Sequence, residues 1–179
     1  MHAEIRQKLE DVFRNSNSPD ELFDSFRIAI SGRIKDEELY KILLRNKALS
    51  TDEISMFAEK ICKEFPGLRY NIYFCVGQLF GSISTYGKHL DKALAYMLKS
   101  AAAEPTLSEP YTAIAKMYNK ELNIPALETI IKTIEDGISL VEIKSPLCFA
   151  LVDLYKLSGD KDKELGYQKL GEIFQREGK

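Results

Sequence analysis

The chain has 179 residues, of which 25 are basic and 27 acidic, for a net charge of −2. That balance leaves no electrostatic footprint for nucleic acid or an anionic membrane, while a hydrophobic fraction of 45% is enough for a continuous core. No run of about 18 apolar residues offers a bilayer span, and the charged N-terminus lacks the apolar stretch of a secretory signal, so a cytoplasmic location is expected.

Nearly every segment carries a helical period. Ile5, Leu9, Val12 and Phe13 share one face of a first helix. The break at Asn15-Ser-Asn-Ser-Pro19 leads into a second, with Ser18 as N-cap, Pro19 at the first helical position and Glu21 at the third. Its stripe, Leu22, Phe23, Phe26 and Ile30, stops at Ser31-Gly32. Glu37 to Leu44 reads as a third helix with Leu39, Tyr40, Leu43 and Leu44 inward. Ser50-Thr-Asp-Glu53 is a capping box that opens a fourth through Ile54, Phe57, Ala58, Ile61 and Phe65, ended by Pro66-Gly67. Six more helices are predicted over 70–82, 91–103, 109–120, 126–139, 146–157 and 161–175. Their connections are short; the longest runs from Ser82 to Lys88 and contains Gly87. No Pro/Ser-rich linker divides the chain, so the reading is one all-α body.

One stretch returns. Asp91-Lys-Ala-Leu-Ala-Tyr96 reappears 71 residues later as Asp162-Lys-Glu-Leu-Gly-Tyr167. That offset is two steps of about 35, the period of a stacked helix–turn–helix array. Asp91 to Pro105 resembles the second helix of a tetratricopeptide repeat, with Ala93, Met97 and Ser100 at its packing positions and Pro105 closing it. Pro110 to Tyr118 resembles the first helix of the next repeat: Ala115 is small where helices touch, and Tyr111, Ile114 and Tyr118 fill the space beside it. Ala126 and Ile130 continue the series, and Pro146 to Phe174 supplies a further copy with Gly159 at its inter-helix turn. In that copy Glu164 stands where a small residue is usual, as suits a half-solvated terminal helix. The earliest legible copy carries Val76, Gly77 and Phe80 and about five extra residues near Gly81–Lys88. The resemblance covers about 110 residues. It implies a right-handed superhelix of antiparallel helix pairs, with repeats over about 68–105, 106–143 and 144–179, and with residues 1–67 as capping helices or a degenerate repeat.

A superhelix of this kind presents a concave face lined by its first helices. The resemblance places Tyr73, Gly77, Phe80, Thr112, Lys116, Asn119, Phe149, Asp153 and Lys156 there, facing a peptide or another protein. Some such repeats grip a terminal carboxylate with Lys, Asn and Arg; Glu109 and Thr112 stand at two of those places here, so an acidic C-terminal peptide is not expected to bind. The primary expectation is a non-catalytic interaction module with no cofactor, no metal, no nucleic acid and no membrane. One alternative is a small cytosolic chaperone or assembly factor, because length and domain plan resemble bacterial secretion chaperones. Another is a self-associating scaffold that dimerises through Leu170, Ile173 and Phe174 of the C-terminal helix. Catalysis is not expected. His89 is the only internal histidine, no nucleophile–base set is legible, and Gly77-Gln-Leu-Phe-Gly81 makes no phosphate-binding loop. Cys62, Cys75 and Cys148 lack metal-ligand or C-x-x-C spacing and read as small buried hydrophobes.

Overall fold

A computed structural model describes residues 2–83 and 88–178, so the turn containing Gly87 lies outside the described residues. Among these there are ten α-helices: α1 His2–Asn15, α2 Pro19–Ser31, α3 Glu37–Leu44, α4 Thr51–Glu64, α5 Arg69–Ser82, α6 Leu90–Ala103, α7 Glu109–Ala115, α8 Leu127–Ile138, α9 Ser145–Ser158 and α10 Lys161–Glu177. A single 3-10 turn, Pro66–Leu68, joins α4 to α5. No described helix is long and apolar enough to cross a membrane.

The ends of these helices are written in local chemistry. The Ser18 hydroxyl accepts from Glu21 N at 3.4 Å, and Pro19 follows with its fixed φ at a position where no N–H is needed. The Asp36 carboxylate accepts from Leu39 N at 3.0 Å. At α4 the capping box closes both ways, with Glu53 N donating to Ser50 Oγ at 3.3 Å and Ser50 N donating to Glu53 Oε2 at 2.7 Å. Gly159 ends α9 in the left-handed region, φ +82°, where a Cβ would be strained.

Helices pack on their sequence neighbours, the step from α2 to α3 excepted, and most extensively α5 on α6 and α9 on α10. A second set of contacts skips one helix: α1 on α3, α3 on α5 and α7 on α9. The buried side chains form two clusters. One holds Phe13, Leu22, Leu39, Phe57, Ile72 and Phe80, and the other Ile114, Ile130, Ile134, Leu147 and Leu151. They meet on α6, where Ala93 and Tyr96 belong to the first and Met97 and Ala101 to the second.

Two glycines allow close approach. A Cβ at Gly77 would lie 2.9 Å from Met97 Cγ, and one at Gly137 would lie 2.6 Å from the Tyr111 ring. Across α4 and α6, Lys92 pairs with Asp52 at 2.9 Å and Lys99 with Glu59 at 2.5 Å. Each pair is seven residues from the next on both helices, so α4 and α6 run in the same direction, in register. Between the rungs the Tyr96 ring lies under Lys99, 4.8 Å from its ammonium.

One predicted element changes. The helix expected over 109–120 ends at Ala115. Beyond it the Asn119 carboxamide oxygen accepts from Glu121 N at 3.0 Å and Leu122 N at 3.1 Å, a local turn that competes with helical hydrogen bonding. Asn119 N also donates to Ile124 O at 3.3 Å, Asn123 takes a positive φ of 46°, and the Ile124–Pro125 peptide is cis. Three residues that favour turns, Asn119, Asn123 and Pro125, thus outweigh the apolar period of Ile114 and Tyr118.

Candidate functional site

The side-by-side packing of α7 and α9 leaves a groove of about 610 Å³. Thr112, Ala115 and Lys116 form its α7 wall, and Tyr118 extends that wall past the helix end. The α9 wall is a stripe of helical period, Pro146, Phe149, Asp153 and Leu157, with Ala150 and Leu154 beside it. Leu154 is buried and Leu157 is 46% exposed, so the groove grades from core to solvent along α9. Phe149 is half-buried, and Gly171 of α10 lies behind it: a Cβ there would meet Phe149 Cε1 at 3.0 Å.

Two opposite charges stand at the edges, Lys116 at the C-cap of α7 and Asp153 on α9, both exposed. Among the described residues neither makes an ion pair, with the other or with anything else. The Thr112 hydroxyl is occupied by Glu109 O at 3.0 Å.

Of the residues singled out from the sequence, Thr112, Lys116, Phe149 and Asp153 therefore come together in one groove. The others lie apart. Tyr73 is half-buried in the α4–α6 ladder, its hydroxyl donating to Glu59 Oε2 at 3.2 Å and its ring 5.5 Å from the Lys99 ammonium. Phe80 is fully buried in the first core cluster, and Gly77 is buried against Met97. Asn119 sits in the loop after α7, its side chain spent on its own backbone, and Lys156 is exposed on α9 outside the groove. Sequence reasoning missed Pro146, Ala150, Leu154 and Leu157, although their i, i+4, i+8, i+11 spacing with Phe149 and Asp153 was a usable signal.

A second cluster ties α8, α9 and α10 together. Glu135 Oε1 accepts from the Tyr155 hydroxyl at 2.6 Å and from the Tyr167 hydroxyl at 2.9 Å. The two rings stack with centroids 5.6 Å apart, and Lys163 donates to the Tyr155 oxygen at 3.0 Å. Burial, and then hydrogen bonding to Glu135, push both phenols above their ordinary range, so they remain protonated donors. The arrangement is a latch for the last helix rather than an acid–base pair. The cysteines are likewise passive: Cys62, Cys75 and Cys148 are buried and unbridged, and burial pushes the Cys62 thiol up to about 12.

Together these features define an all-helical protein of successively packed helices with a mixed apolar and charged groove between two of them. Compared with known proteins, the chain matches no family model, no curated protein and no solved structure.

Proposed function

We propose that the chain is a non-catalytic protein–protein interaction module whose α7–α9 groove holds a segment of a partner protein. The observation that carries this reading is the convergence of Thr112, Lys116, Phe149 and Asp153 in one groove. These are four residues that the resemblance to tetratricopeptide repeats assigns to a concave binding face. The skip-one contacts of α1 on α3, α3 on α5 and α7 on α9 support a repeat-like stacking of first helices, interrupted at the step from α5, where α7 packs on α6 instead. The apolar floor and unpaired charged edges are the composition of a recognition surface, with an anchor ring beneath and orienting charges above. A client-holding chaperone would use the same groove.

The test is affinity capture followed by mass spectrometry, with wild-type chain beside Phe149→Ala/Lys116→Ala and beside Lys156→Ala, which alters α9 outside the groove. The expected outcome is a protein captured by wild type and Lys156→Ala and lost from the double variant, whose far-UV circular dichroism stays unchanged. Equal capture by all three would move the partner site elsewhere on the molecule.

A further inference from the structure

We infer that the groove's occupant is an amphipathic α-helix of the partner, with an apolar stripe on Phe149, Leu154 and Leu157, an acidic flank toward Lys116 and a basic flank toward Asp153. The inference rests on the groove being the partner site and specifies what the partner must present.

Three observations carry it. The α9 wall is helical throughout and the facing wall helical as far as Ala115, and α9 donates its backbone N–H groups within its own helix. An extended strand therefore finds no open edge to pair with, and recognition falls to side chains, as in helix-in-groove binding. Next, α7 has 7 residues and α9 has 14, so α7 falls short of α9 by about 10 Å. Past its end the α9 flank has the Tyr118 loop beside it instead of a helix, and Leu157 is left 46% exposed. That space is bounded as a helix neighbour would be, by a stripe recurring every three to four residues along α9.

The third observation is charge. Lys116 and Asp153 occupy opposite walls and are unpaired among the described residues. An occupant carrying the same charge on both sides would satisfy one and be repelled by the other. A helix with an apolar seam and opposite signs on its two flanks satisfies both at once, the arrangement that flanking positions of a coiled coil use to fix orientation. The charges thus choose direction as well as partner, because reversing the helix exchanges its flanks.

Two phage-displayed libraries test this on the intact chain. The first presents helix-favouring peptides of about 16 residues, a little over four turns, with an apolar seam and a free choice of Glu or Lys on each flank. The second presents extended, proline-containing peptides. Both are panned on wild type, on Leu157→Lys, which adds charge at an exposed groove position without disturbing the core, and on Lys116→Glu. The expected result is enrichment from the helical library only, about tenfold greater on wild type than on Leu157→Lys, with Glu on one flank and Lys on the other. A factor of about ten is within reach of losing one leucine side chain's burial in the interface. Lys116→Glu, which leaves acidic groups on both walls, should instead select Lys on both flanks. Enrichment of extended peptides, or of helices indifferent to flank charge, overturns the helical occupant while leaving the groove as the partner site. If neither library distinguishes wild type from Leu157→Lys, the groove reading itself falls.

Discussion

The Tyr111 ring lies where a Cβ on Gly137 would be, 2.6 Å away, and ring atoms have no room to retreat inside a close-packed cluster. Gly137→Ala is therefore expected to destabilise the chain by about 1–3 kcal/mol despite alanine's better helix propensity. Gly166, inside α10, has nothing within 4 Å of an added Cβ. The same substitution there is expected to stabilise by about 0.5–1 kcal/mol, and urea denaturation of the two variants should show opposite shifts in midpoint. Glu135 offers a different test. Its loss leaves the Tyr155 and Tyr167 hydroxyls without their shared acceptor, and Tyr155 is only 3% exposed. Glu135→Ala should cost about 1–3 kcal/mol, as expected for an orphaned buried donor. Hydrogen exchange should also quicken in α10 more than in α2. Uniform acceleration across both helices would mean that the latch is not local to the last helix.

At the scale of elements, the helices whose ends carry explicit chemistry were legible from the sequence. The capping box at Ser50 and Glu53, the Ser18-Pro19 start and the Gly159 stop each lie where their residues imply. The failure at α7 has a physical cause: Ile114 and Tyr118 keep a helical period, while Asn119 finds better hydrogen-bonding partners in its own following backbone. Periodicity reports which face is apolar, not whether a polar side chain will compete for the amides. The groove was half legible for the same reason, since its α9 wall follows a period and its other wall depends on where α7 stops. Phe80 shows the converse, an aromatic whose exposure is decided by α6 packing over it rather than by spacing within α5. The Ser50 cap also predicts an acid response. Hydrogen bonds from Ser50 hold the Glu53 carboxylate below its ordinary value of 4.5. A depressed carboxylate contributes stability above its unfolded value and loses it as pH falls through its folded value. The melting temperature should therefore drop on acidification below about 4.5, and Ser50→Ala should remove about 1 kcal/mol near neutrality while making the acid drop shallower. An acid drop of unchanged size in Ser50→Ala would assign the acid sensitivity to other carboxylates.

Over the whole molecule, α6 is shared property. Its Ala93 and Tyr96 close one cluster and its Met97 and Ala101 the next, so a single helix contributes to both hydrophobic interiors. Met97→Ala, at a side chain 1% exposed, is expected to cost about 2–5 kcal/mol. Unfolding monitored by circular dichroism and by tyrosine fluorescence should still coincide; two separated transitions would show that the halves fold independently. The early end of α7 has a further consequence for engineering. Natural chains tend to leave stability unrealised where activity needs an open surface. Replacing the turn-formers Asn119 and Asn123 with alanine and lengthening the segment to restore the connection would let α7 continue along α9 and cover Leu157. Such a variant should melt higher than wild type and, where the α7–α9 groove is the partner site proposed above, lose its partner, so that one edit would trade recognition for robustness.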